Sequence, residues 1–338
     1  MTVTLLLLGY ALLLATAGTA LLRRASWPSR APLLAIAAWQ ALSASVVGSV
    51  ILAGLTATTA ATRAGVVSGR CYGPVEWPCA PDTLSVAAVP VATGAVLALT
   101  VAARVLWCLC SAYGVASRER RLRRDGLALV GRPDARLGVT VVDHDAPAVY
   151  CVPGRHGRIV VTSGALAALD EDQLAAVLAH ERAHLRQRHH LALTAAQALA
   201  RAFGPLPVFT AAREQIAFLV ELAADDAAAK GSGRLTVAEA LLALAEAIPA
   251  GAMAPALAAG GTTTGARARR LITGTRPLGR TRALLGLAVA TAVLTAPLAA
   301  AGPTLTAAVA CCGSAPAAGV PAHPGHALCR PGCSGPAA

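Results

Sequence analysis

AAVLAHERAHLRQRHHLAL, residues 175–193, places four histidines within eleven residues of a chain that has eight. The letters just before it, LDEDQ at 169–173, supply a helix start, because Asp170 and Gln173 are spaced as a capping box. Leu174, Val177 and Leu178 then recur at helical spacing, so one helix is predicted up to the GPLP at 204–207. On that helix His180 and His184 stand one turn apart on one face, where both imidazoles can reach a single ion. Glu181 lies on the adjoining edge, within reach of a water on such an ion, and Arg182 points elsewhere. H-E-x-x-H also occurs by chance, and Arg/His-rich helices are often only solvated. A metal site therefore needs more ligands.

They are found in FLVELAADDAAAK, on a second helix predicted over about 208–229. Glu221 and Asp225 share one face of it, while Asp226 is turned away. An acidic pair in so apolar a stretch asks for a partner. His180, His184 and Glu221 make the three-ligand set of a catalytic zinc with an open fourth position, one Zn2+ per chain. Asp225 then serves as acceptor for a ligand imidazole, fixing its tautomer. His189 and His190 are expected at the surface or behind the ligands, and His144 and His156 have no spacing partner.

The surroundings of this helix pair are far more apolar than a soluble domain needs: 56% hydrophobic and only 14% charged. Residues 2–22, 31–62, 83–117 and 283–312 are long enough to cross about 30 Å of hydrocarbon, so four spans are expected. The first run lacks a positive n-region and is followed by Arg23 and Arg24, which favours a retained span over a cleaved signal peptide. Arginine placement sets the topology. Arg23, Arg24 and Arg30, the run SRERRLRR at 117–124 and RPLGRTR at 276–282 fall inside; the N-terminus, the loop 63–82 and the tail fall outside. The expected organisation is thus 1–117 with three spans, a cytosolic domain at 118–279, a fourth span at 280–312 and a short external tail at 313–338, in the plasma membrane.

The cysteines fit that path. Cys71 and Cys79 lie in the outer loop, and Cys311, Cys312, Cys329 and Cys333 lie in or near the tail, even numbers that suit disulfides outside the cell. A Cys71–Cys79 bridge is expected; His323, His326, Cys329 and Cys333 offer the alternative of a metal-binding tail. The net charge of +12 is explained by topology and anionic membrane lipid, and no recognised motif accompanies it, so direct nucleic-acid binding is not expected.

Within 118–279 three strands are predicted before the motif: LGVTVVD (137–143), AVYCV (148–152) and RIVVT (158–162), the last two joined as a hairpin through PGRHG. RIVVT is a candidate to pair with an extended substrate. A third helix is expected to start at Thr236, paired with Glu239 as a capping box. No donor for an oxyanion could be placed: no histidine follows Glu221 in this segment.

Three spans, an inner segment with H-E-x-x-H and a downstream E-x-x-x-D, then a fourth span, resemble the BlaR/MecR family of membrane metallopeptidases. The detailed resemblance runs from AVYCVPGRHGRIVVTSGALAALDEDQLAAVLAHERAHLRQRHH to ELAAD, about 145–230, and is architectural elsewhere. It implies a cytosolic α+β zincin-like (gluzincin) domain, zinc on His180, His184 and Glu221, and Glu181 as the catalytic carboxylate. It also implies a zinc metalloendopeptidase that cuts a cytosolic protein, with a winged-helix transcriptional repressor as the substrate the resemblance suggests. The chain departs from the antibiotic sensors of that family. It has about 25 residues after the last span, and its one lysine, Lys230, lies in the inner segment, so no S-x-x-K exists outside and direct β-lactam acylation is not expected. An HtpX-type quality-control peptidase, or a non-catalytic zinc-containing receptor, are the other readings of the same motifs.

Overall fold

In the computed structural model, residues 2–68, 88–154, 157–247, 255–274 and 276–313 are described. The expected Cys71–Cys79 bridge, the tail cysteines Cys329 and Cys333, and His156 lie outside them.

Apolar composition over long stretches produces four long helical rods, of which the last carries Pro297 and Pro303 in its interior. The first joins α1 (Thr2–Leu13) to α2 (Thr19–Arg24) through a π-turn at Leu14–Gly18. The others are α3 (Pro32–Ser68), α4 (Ala88–Val130) and α11 (Arg280–Gly313). All four are long and apolar enough to cross a membrane, with mean hydropathy between 1.7 and 2.1 in their most apolar windows. The sequence placed the end of the third run at 117, but the helix continues through SRERRLRR to Val130. At 1.5 Å per residue its 43 residues reach roughly twice the hydrocarbon thickness, so its charged end delivers the chain directly to the sheet.

Small residues let α3 and α4 touch backbone to backbone. A Cβ on Gly54 would meet the Gly94 carbonyl oxygen at 2.6 Å, and one on Gly94 would meet that of Gly54 at 2.8 Å. Several polar groups in the bundle are satisfied across helices. Tyr10 and Ser45 both donate to the Val293 carbonyl, and the Arg104 guanidinium caps the end of a later helix by donating to Ala202 O at 2.7 Å.

A four-stranded sheet follows: β1 (Gly131–Asp134), β2 (Val139–Val142), β3 (Val149–Val152) and β4 (Arg158–Thr162), in the order β1-β2-β4-β3. The predicted hairpin is present, with Val149 opposite Val161 and Val152 opposite Arg158. β1 was not foreseen, because Pro133 argues against a strand; it is tolerated there on the sheet edge. β4 is paired on both sides, parallel to β2 and antiparallel to β3, so it cannot accept another strand. The expectation that RIVVT docks an extended chain is therefore corrected: the free edge on that side belongs to β3.

After α5 (Ser163–Ala168), capped by Thr162, comes α6 (Glu171–Arg186), opened by the reciprocal Asp170–Gln173 capping box that the sequence indicates. The single helix expected up to residue 203 is in fact two. Arg188 takes φ 52°, the one positive φ on a non-glycine among the described residues, and α7 (His189–Ala202) starts afresh. No Gly or Pro marks this break; its signal is a left-handed turn on an arginine, which costs about 1–2 kcal/mol. α8 (Pro207–Ser232) and α9 (Arg234–Glu246) follow. α9 starts after Gly233, so Thr236 is inside it and makes no cap, contrary to the capping-box reading. α10 (Pro255–Thr273) completes the chain before α11 and was not anticipated.

The sheet, α6, α9 and α10 share one core around Val161, Leu178, Val237 and Leu271. A second core is built differently. Ala35 and Trp39 of α3 pack against Ile216, Leu219 and Leu222 of α8, so the second motif helix lies directly on an apolar rod.

Candidate metal and active site

α6 and α8 pack side by side, and their facing turns carry the candidate ligands. His180 Nε2 is 3.1 Å from His184 Nε2, and Glu221 oxygens lie 3.6 Å from each of those nitrogens. The three ligand atoms fall within 4.8 Å of one another, the set of three or more His/Cys/Asp/Glu found that close among the described residues. Atoms about 2.1 Å from a tetrahedral zinc are roughly 3.4 Å apart, so the donors have the spacing and the chemistry that a zinc ion takes. The residues present fit the metal.

Behind the ligands the rings are oriented from two sides. His180 Nδ1 lies 3.0 Å from Oδ1 of Asp225, a close charge contact outside ideal hydrogen-bond geometry. Asp225 is fully buried, as a carboxylate can be only with strong partners. His184 Nδ1 lies 3.0 Å from His189 Nδ1, and His189 Nε2 lies 2.9 Å from Gln187 Oε1. His189 is therefore buried in a relay that fixes the His184 ring, while His190 is half-buried and outside it. His144 is exposed and accepts from the Ala146 N–H in a local turn.

One residue of the site escaped the sequence. Arg267, on α10, grips Asp225 with two parallel hydrogen bonds, Nε to Oδ2 at 2.8 Å and an NH2 nitrogen to Oδ1 at 2.7 Å. Its other terminal nitrogen is 3.0 Å from Glu221. Arg270, one turn on, holds Asp226 in the same bidentate way, so neighbouring aspartates on α8 are matched by arginines three apart on α10. The signal was present in the acidic pair, which needs cations as much as a metal. The Gly- and Thr-rich run before RARRL hid the helix that brings them.

These contacts set the charge states. Burial pulls the His180 imidazolium pKa down, but Asp225 and Glu221 outweigh it and raise it to about 9. Burial lowers His184 to about 4. Burial works to raise Asp225, yet Arg267 and His180 hold it at about 2. Glu181 goes the other way: burial lifts its carboxyl above the usual carboxylate range. It faces Cys151 on β3, whose thiol is pushed up to about 12 by burial and by the Glu181 charge. A raised carboxyl beside a metal-ligand set is what a group that takes and returns a proton near neutrality needs.

Glu181, His180, Glu221 and Arg267 also form one wall of a cavity of about 180 Å³, whose other walls include Val177 and Leu241. Val149 of the edge strand β3 also lines it.

Residues 116–255 match Peptidase family M48. Over 77 residues the chain is 46% identical to a protein described as a Protease HtpX homolog from Acidiphilium cryptum (strain JF-5), a stretch that is 22% of this chain and 26% of that protein. The chain thus spans about a quarter of the length of the relative it matches. No solved structure matches. The matched segment contains every ligand candidate, Glu181 and Asp225, and stops before Arg267.

Proposed function

We propose that the chain is a membrane-anchored zinc metalloendopeptidase that cuts extended protein segments at the cytosolic face. The convergence of His180, His184 and Glu221 beside a buried Glu181 carries this reading. The match to a peptidase family over the same residues supports it.

Zinc held by the three ligands would polarise a peptide carbonyl and make water more acidic. Each remaining step belongs to side chains of this chain. Glu181 takes the proton of the attacking water at its carboxylate and passes it to the leaving nitrogen. Asp225 and the His189–Gln187 pair keep the two imidazoles turned toward one point. Arg267 keeps Glu221 and Asp225 from moving and compensates their charge. The free edge of β3 offers backbone groups to an extended peptide, whose apolar side chain fits the 180 Å³ cavity next to Glu181.

The substrate is read as a cytosolic regulatory protein, of which a winged-helix repressor is the first to test. The order of spans supports that: after the motif helices the next apolar rod starts only at Arg280. The likeness to a Protease HtpX homolog favours a second reading, a quality-control peptidase of membrane proteins. The decisive variant is Glu181→Gln, expressed with the repressor. It keeps size and zinc, and its cleavage should fall by about a hundredfold or more for want of a general base. Equal cutting by wild type and variant would overturn the mechanism. Cutting of an unfolded membrane protein, with the repressor left intact, would favour the second reading.

A further inference from the structure

Away from the catalytic cavity, two larger hollows meet. One, of about 650 Å³, lies among α1–α2, α3 and α11. Its walls are apolar, with Leu14, Leu42, Val289 and Val293 along its length and Trp27 near its charged end. The other, of about 510 Å³, sits above it, between the start of α3 and the peptidase helix α8. Arg30 and Leu34 line both, so the two adjoin at these residues. Both volumes fall in the range of roughly 300–1,000 Å³ that ligand sites occupy.

The charge along this double hollow is one-sided. The upper part carries Arg30 and Lys230, and Arg282 stands at the rim of the lower part. None of the three belongs to an ion pair among the described residues. Arg30 donates through Nε to the Arg276 carbonyl, which fixes the guanidinium at the junction while leaving its charge uncompensated. The acidic residue of the upper part, Asp226, is taken up by Arg270. An apolar hollow among the spans, topped by three cations without an acidic partner among the described residues and by an aromatic side chain at the boundary, has the chemistry that suits one molecule: an acyl chain with an anionic head.

We propose that this double hollow is a binding site for one anionic phospholipid, drawn from the leaflet on the peptidase side. The acyl chain lies in the lower hollow against Leu42 and Val293, and the phosphate sits between Arg30 and Lys230. The site is separate from the zinc ligands. It lies on the opposite face of α8, where Ala223, Asp226, Ala227 and Lys230 form one stripe. Gln187 also lines the upper hollow, and the same side chain holds His189 behind the ligand His184.

The test uses the purified full chain in mild detergent, with lipid binding followed by native mass spectrometry. Phosphatidylglycerol should bind in preference to phosphatidylcholine of the same chain length. The Arg30→Gln/Lys230→Gln variant should weaken phosphatidylglycerol binding by roughly 30-fold while leaving phosphatidylcholine unchanged, as the loss of two cations near a lipid surface implies. Ala38→Phe, which fills the lower hollow, should weaken both lipids. Wild-type affinity in the double variant would overturn the proposal, as would equal binding of the two lipids by wild type. Inorganic phosphate competing as tightly as the lipid binds would overturn it too, because it would leave the acyl chain no part in binding. Retained zinc is the folding control. If the double variant fails it, Lys230→Gln alone, on an exposed side chain, should still cost about fivefold, and no loss there refutes the site.

Discussion

Replacing Arg267 by Met removes three charged contacts and leaves a shorter, unbranched apolar side chain. Asp225, fully buried, then keeps only the His180 contact at 3.0 Å, and Glu221 loses the nitrogen 3.0 Å away. Removing one partner of a buried pair costs about 3–5 kcal/mol. The lower figure applies, because His180 still faces Asp225 and shares its charge. For the metal, loss of an outer partner of ligand side chains weakens affinity by about 10–100-fold, or roughly 1.4–2.8 kcal/mol. Arg267→Lys keeps the charge but cannot make the two-pronged grip, so it should fall between wild type and Met. The assay is competition for zinc against a chromogenic chelator, run with thermal unfolding of the same samples. A Met variant that binds zinc with wild-type affinity and melts with the wild type would refute the argument that α10 clamps the site.

Three further outcomes are expected. Glu221→Ala should lose most bound zinc by metal analysis; full occupancy would mean that Asp225 or His189 supplies the third ligand. Zinc must displace the proton that His180 carries below about 9, whereas His184 is already neutral above about 4. Apparent zinc affinity should therefore fall about tenfold per unit as pH drops between those values, and a pH-independent affinity would contradict the charge assignment. Reporter fusions should place residue 130 inside and residue 325 outside; an inside signal at 325 would sink the four-span topology.

The parts of the fold that the sequence displays are those governed by local rules. The capping box at Asp170, the one-turn spacing of His180 and His184, and the isolated acids of α8 each follow from neighbours within a turn or two. The hairpin of β3 and β4 was legible for the same reason. What stayed hidden depends on distant partners. The break at Arg188 has no breaker residue, because α7 turns away to pack on α4 rather than to obey a propensity. β2 beside β4 is a parallel pairing across an intervening strand, which no alternation pattern reveals, and it decides which strand has a free edge. Arg267 is 42 residues from the aspartate it grips, on a helix whose Gly- and Thr-rich stretch disguises it.

The contact of Trp39 with the back of α8 has a bearing on whether the half that carries the candidate site can exist alone. Trp39 is wholly buried against Ile216, Leu219 and Leu222, and on α7 Ala198 and Ala202 are covered by Cys108 and Ala112 of α4. Cut out at residues 118 and 279, the fragment would present these faces to water, one of them on the very helix that carries Glu221. It would clump or lose the position of its third ligand before it lost its secondary structure. Shedding by a protease would therefore extinguish the proposed activity and could not set a soluble enzyme free, and a search for inhibitors of it has to begin with the whole chain in lipid or detergent.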